Sequence, residues 1–63
     1  MTPEQRECME AMPVWFKPDG TLPDGAPDAE TLSRWEANGW IQIIDDPPRE
    51  RWALTPTALA SWR

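Results

Sequence analysis

The side chains that could do chemistry in this sequence are eleven carboxylates and one thiol, with no histidine. Without an imidazole base, His-based catalytic triads and proton shuttles are excluded. The thiol of Cys8 has three glutamates within four residues of it, and nearby carboxylates disfavour the reactive thiolate. Asp45 and Asp46 are adjacent acids, a pair that is usually solvated when it lies on a turn. The sequence therefore predicts no catalytic residues and no enzyme.

A second set of acids lies in the segment 17–28, KPDGTLPDGAPD. Asp19, Asp24 and Asp28 suggest calcium at first sight, but the alternating acidic positions of a calcium-binding loop are missing. The two Pro-Asp-Gly triplets instead favour tight turns, because proline presets the first turn position and glycine accepts a positive φ. We expect a rigid loop here, with no metal and no cofactor.

The charge of the chain is −5, and it is unevenly distributed. Residues 1–46 carry ten acidic and three basic residues, whereas residues 47–63 carry one acidic and three basic residues. An acidic protein is repelled by phosphate backbones and attracted to basic surfaces. The predicted docking carboxylates lie on one helix and on the turn after the next strand: Asp28, Glu30, Glu36, Asp45 and Asp46.

The length allows a single domain spanning residues 1–63. A domain of this size buries only about 60 % of its unfolded surface, so its core is marginal. Five tryptophans, each able to bury roughly 150–250 Å², favour an aromatic core with at most one exposed recognition ring. The single cysteine excludes an internal disulfide and fits the reducing cytoplasm. No segment resembles a signal peptide or approaches the roughly 20 apolar residues of a membrane span, so we expect a soluble protein without a membrane partner.

Three positions show helix-start signals that would place these side chains. The first helix begins at Thr2, where Gln5 completes a capping-box pattern, and ends before the next proline. The second helix is predicted over residues 29–38, with Asp28 as its cap and a glycine as its stop. The third begins at Thr55, again directly before a proline.

Between the last two helices, β-branched and aromatic residues predict strands over 40–44 and 51–55. Two prolines keep the intervening residues 45–50 out of a strand and predict a turn there. The apolar segment 14–16 is assigned to the core. The residues expected to be buried together are Leu32, Trp35, Ile41, Ile43, Trp52, Leu54 and Leu59.

Residues 29–62 resemble the second half of a winged helix-turn-helix domain of the bacterial multiple-antibiotic-resistance type. The pattern that carries the resemblance is Leu32-x-x-Trp35-x-x-x-Gly39-Trp40-Ile41, a charged turn, then Trp52-x-Leu54-Thr55-Pro56-x-x-Leu59. The resemblance implies a small winged-helix-like α+β domain: an N-terminal helix, a second helix, a two-stranded β-hairpin wing and a short C-terminal helix. The short helix that such regulators place before the recognition helix is replaced here by the Pro-Asp-Gly loop.

Two functions follow from these patterns. The first is a protein-binding module whose five carboxylates converge as a docking face for the basic surface of a nucleic-acid-binding protein or complex. In general character only, such a chain resembles the small phage-encoded inhibitors that include anti-CRISPR proteins and DNA mimics. The second is a small DNA-binding transcriptional regulator that would use Arg34, Arg49 and Arg51. Nucleic acid is the less expected partner, because recognition helix and wing tip carry six acids against three bases. A monomer or weak homodimer is expected.

Overall fold

A computed structural model describes residues 1–62 as three helices and a three-stranded antiparallel sheet, which confirms the α+β class. None of the helices in these residues is long and apolar enough to cross a membrane. The elements in chain order are α1 (Pro3–Ala11), β1 (Val14–Trp15), α2 (Ala29–Ala37), β2 (Ile41–Asp46), β3 (Arg49–Leu54) and α3 (Pro56–Ser61).

Each helix begins at the cap that the sequence predicts. The Thr2 hydroxyl accepts from the Gln5 backbone N–H at 3.2 Å, and the Gln5 side chain accepts from the Thr2 N–H at 2.9 Å, which confirms the capping box. Asp28 and Thr55 cap α2 and α3 in the same way, each accepting from the backbone N–H three residues further on. After α2 the chain turns at Gly39, whose φ of 79° lies in the left-handed region that favours glycine.

The sheet has one strand more than the sequence predicts. Strand order is β1-β3-β2, and the two-residue strand β1 pairs with β3 so that Val14 lies opposite Trp52. The predicted turn over 45–50 is also wrong in its extent. Asp46 pairs with Arg49 at the end of the ladder, so the turn consists of two prolines alone. Proline has no N–H to donate to the ladder, and the two turn positions need no such donor.

The core lies where α2 packs on the sheet. Trp35 and Leu32 of α2 are 1 % and 2 % exposed, and they contact buried Ile41, Trp52 and Cys8. The predicted burial of these α2, β2 and β3 side chains is therefore confirmed, and Leu54 packs against them half-buried.

Two residues of the predicted core are exposed, so their assignment is wrong. Ile43 is 45 % exposed although it shares a strand face with buried Ile41. Its opposite neighbour Trp52 on the central strand is in the core, whereas Ile43 lies on the edge strand, where no further strand covers its outer side. Leu59 is 38 % exposed because the buried position of the short helix α3 is Ala58, one residue earlier, while Leu59 lines an open hollow beside Ile44 and Ala53.

The tryptophans divide between core and surface. Trp40 and Trp62 pack edge to face with ring centroids 5.3 Å apart, which joins the end of α3 to the start of β2. The Thr55 hydroxyl adds a 2.7 Å hydrogen bond to the Gly39 carbonyl at the same place.

We call this part of the β2–β3 hairpin, residues 40–42 with 53–55, the near end, and residues 43–50 the far end.

Candidate functional site

One of the arginines proposed for DNA contact is held by the protein itself. The Glu4 carboxylate on α1 accepts from the Trp35 indole N–H and from the Arg34 guanidinium, both at 3.0 Å. Both hydrogen bonds lower the pKa of Glu4, and the one from Trp35 has the larger effect. Arg34 therefore joins α2 to α1 and is not available as an unpaired cation on the helix surface.

The three acids predicted on α2 lie at different places around the helix. Asp28 is engaged as the cap, and hydrogen bonds from Thr31 hold the pKa of its carboxyl below the usual range. Glu30 is in the first turn and Glu36 near the last, and both are exposed. Six residues apart on an α-helix, they differ by about 120° around its axis, so they face different sides of α2.

The hairpin separates the two remaining carboxylates. Successive strand residues point to opposite faces, so Asp45 and Asp46 cannot share one. Asp46 accepts from the Arg51 guanidinium at 3.1 Å. Asp45 lies opposite Glu50 in the strand register, on the face that carries Ile43, and it lines a hollow of about 340 Å³. Only Asp45 of this pair remains exposed without an ion-pair partner in residues 1–62.

The other two predicted arginines come together around a ring that sequence reasoning assigned to the core. The guanidinium carbons of Arg49 and Arg51 lie 5.8 and 5.6 Å from the centroid of Trp15, within the range of cation–π contacts. Trp15 is 38 % exposed, and β1 pairs it with Arg51. A strand of two residues between prolines carries too little periodicity for this pairing to be recognised in the sequence.

Beside Trp15 is a mostly apolar hollow of about 420 Å³. Phe16, Pro23 and Pro27 line it together with Trp15, so the proline-rich loop forms one wall. Arg49 stands at this hollow and donates to the Phe16 carbonyl at 3.4 Å. The volume lies within the range of small-ligand pockets, but the hollow contains no convergent set of reactive groups.

Cys8 and the acids form no reactive centre in the described part of the chain. Cys8 is fully buried, and burial, helped by the charge of Glu4, raises the pKa of its thiol to about 11. At neutral pH this thiol is protonated and inaccessible, which is the opposite of an activated nucleophile. In residues 1–62, no three carboxylate or thiol side chains gather into a group that could hold a metal ion.

The charges that remain available decide what the surface can bind. Within residues 1–62, Lys17, Arg34 and Arg51 each lie within 4.0 Å of a carboxylate, at 3.9, 3.0 and 3.1 Å. Glu30, Glu36 and Asp45 are exposed, and the described residues offer them no such partner. Comparison with protein-family models, with curated proteins and with solved structures found no match for this chain.

Proposed function

We propose that this chain is a small acidic protein-binding module on a winged-helix frame. It docks on the basic surface of a nucleic-acid-binding protein or complex and inhibits or modulates that partner. A phage inhibitor of the anti-CRISPR kind is one form this function takes. The proposed setting is the cytoplasm, and the proposed acting species is a monomer or weak homodimer.

The observation that carries the proposal is that most of the described bases have an ion-pair partner within the chain, whereas several exposed acids have none. Lys17, Arg34 and Arg51 each lie within 4.0 Å of a carboxylate of the chain itself, whereas exposed Glu30, Glu36 and Asp45 lack such partners in residues 1–62. Two exposed bases of the same residues, Arg6 and Arg49, also have no carboxylate within 4.0 Å. A surface of this kind attracts cationic patches and repels phosphate. Charge complementarity of this type mainly raises the association rate and selects the partner.

The frame is proposed from the order of elements around α2. A glycine turn leads from α2 directly into the β2–β3 hairpin, and α3 starts at Thr55 after the hairpin. This is the order that the winged-helix resemblance implies. In a DNA-binding relative the counterpart of α2 would enter the major groove. Here that helix presents Glu30 and Glu36, while its arginine is bound to α1.

Affinity capture on the immobilised full chain tests this function. The lysate comes from the cell that carries the gene and is treated with nuclease before the capture. We expect a protein with a basic surface to be retained without nucleic acid, and its recovery to fall as salt rises, because salt screens exposed charges. Capture that disappears with nuclease treatment would contradict the proposal.

A small DNA-binding regulator is the second candidate, favoured by the Trp15–Arg49–Arg51 group. An exposed ring beside two guanidinium groups could stack on bases and contact phosphate. Fluorescence anisotropy with random duplex DNA near physiological salt separates the two functions. The main proposal predicts no measurable binding. Micromolar binding that weakens with salt would support the regulator instead, provided that Arg49→Gln with Arg51→Gln removes it and Arg6→Gln does not.

A further inference from the structure

The outer edge of β2 carries backbone groups without partners. β2 is the last strand of the sheet order, and the Trp40 carbonyl accepts from the Thr55 N–H at 2.9 Å. Every second residue from Trp40 onwards therefore bonds to β3, and the residues between them point their N–H and C=O groups away from the sheet. These outward residues are Ile41, Ile43 and Asp45. In residues 1–62, no backbone hydrogen bond from another strand or loop reaches them.

The hydrogen bonds of the central strand β3 support this assignment, and they place two carboxylates opposite each other. The Glu50 carbonyl accepts from the Phe16 N–H at 3.1 Å on the β1 side, so Asp45 and Glu50 form a non-hydrogen-bonded pair. Their side chains then stand about 4.5–5.5 Å apart at Cβ, and like charges in that position are destabilising. Within residues 1–62, neither has a base within 4.0 Å. A cation placed beside Asp45 would relieve this repulsion.

The same edge offers an apolar contact next to the charge. Ile43 is 45 % exposed, two residues before Asp45 on the same face. Both line the hollow of about 340 Å³, whose other wall includes Lys17 and Gly20 of the first Pro-Asp-Gly turn. Proteins commonly protect an edge strand with lysine or proline, and β2 contains neither. Ile43 therefore lies where a side chain of an added strand would cover it.

We propose that the open edge of β2 binds an extended segment of the partner protein as a fourth strand. That segment places a lysine or arginine beside Asp45 and an apolar side chain beside Ile43. The cation would lie on the side of β2 away from Glu50, at the edge of the sheet. Main-chain hydrogen bonds supply affinity in this mode and alternate side chains supply selectivity. This inference rests on the proposed function and names the form of its partner.

A second copy of the chain fits the edge less well. Each copy carries a net charge of −5, so association of two copies adds repulsion. In an antiparallel pairing centred on Ile43, each Asp45 would lie opposite the other copy's Ile41, and no base would meet it. A basic segment satisfies both the backbone groups and the carboxylate.

Synthetic hexapeptides added to the full chain test the proposal by NMR. The probe is the peptide Thr-Val-Thr-Lys-Thr-Val, in which valine and lysine stand two residues apart and so point to one face, as Ile43 and Asp45 do. The first control has glutamate in place of the lysine, and the second is the lysine peptide with alternate amides N-methylated. Of the three peptides, we expect only the lysine peptide to slow hydrogen exchange at the amides of Ile43 and Asp45. Asp45→Lys should weaken its binding at least tenfold, whereas Glu10→Lys, the same charge change on an exposed position of α1, should not.

Each other outcome contradicts the proposed basic fourth strand. Equal binding of the N-methylated peptide would mean that charge alone attracts the probe and that no main-chain hydrogen bonds form. Equal binding of the glutamate peptide would mean that no basic residue is needed beside Asp45. Protection of Ile43 and Asp45 that grows with protein concentration, without peptide, would make a second copy the occupant. Binding that shifts only the NMR signals of Glu30 and Glu36 would reject the edge as the binding place and leave the proposed function intact. Absence of binding would reject the edge too, and the capture experiment then judges the function separately.

Discussion

The near and far ends of the β2–β3 hairpin share one alternating pattern but differ in what covers them. Ile41 at the near end is 2 % exposed, whereas Ile43, two residues further on the same face, is 45 % exposed. The nine residues of α2 are about 13 Å long. Six strand residues extend about 20 Å. One short helix therefore cannot cover the whole face. Trp52 on the central strand packs with α2, whereas Ile43, opposite it on the edge strand, is left exposed and available to a partner.

The chemical character of the two ends follows the same division. At the near end a side-chain hydrogen bond fastens the hairpin to the preceding turn, the 2.7 Å bond from the Thr55 hydroxyl to the Gly39 carbonyl. At the far end Asp45 and Glu50 face each other, and no base in residues 1–62 lies within 4.0 Å of either. Stability is thus concentrated where α2 and α3 meet the hairpin. Mutations at the two ends should accordingly have different readouts.

The largest expected effect is on the near-end core. Trp35→Ala should lower the free energy of unfolding by about 3–5 kcal/mol, because it empties the centre of the core and removes a donor to Glu4. That loss is comparable with the total stability of a domain this small, roughly 0.05–0.15 kcal/mol per residue. Urea unfolding followed by circular dichroism measures it. Trp15→Ala is the matched control, and similar losses in both variants would contradict this description of the core.

A pair of identical substitutions tests the hairpin comparison itself. Ile41→Ala should cost about 2–5 kcal/mol, as truncation of a buried isoleucine does. Ile43→Ala should cost about 1 kcal/mol or less, because nearly half of that side chain already contacts water. Both values come from the same denaturation series. Equal losses would show that the far end is as firmly covered as the near end.

A smaller effect should depend on pH. Hydrogen bonds from Trp35 and Arg34 lower the pKa of Glu4 in the folded protein. Its contribution to stability is therefore present above its unfolded pKa, about 4.3, and is lost as pH falls through its lower folded value. Glu4→Gln should lower the melting temperature most near pH 7 and progressively less in acid. A pH-independent effect of Glu4→Gln would exclude the charge as its cause.

Local signals predicted the helices well, because a cap needs only its own turn of the chain. Thr2, Asp28 and Thr55 all act as predicted. Ile41 and Ile43, both predicted to be buried, do share a strand face, but an alternating pattern cannot show which part of that face is covered. The prediction for Leu59 is wrong for a related reason, because the position that the six-residue helix α3 buries is Ala58.

The contacts that distinguish the site depend on long-range packing. Glu4 and Trp35 are 31 residues apart in the chain, and nothing in either local sequence indicates that they meet. The same holds for Trp15 and its two arginines, which β1 brings together only after it pairs with β3. The acidic composition predicted a negative surface, but only the ion pairs show which acids remain available.

The most direct test of protein binding through unpaired acids compares two double charge reversals. Glu30→Lys with Glu36→Lys changes exposed acids at opposite ends of α2, where their effects on the helix dipole oppose each other. Glu7→Lys with Glu10→Lys makes the same change of charge on α1. The dissociation constant for the captured partner and the melting temperature are measured for both variants and the parent. We expect both to melt close to the parent, and only the α2 variant to bind more than tenfold more weakly, about 1.4 kcal/mol. An α2 variant that folds and binds with parental affinity would contradict docking through this helix.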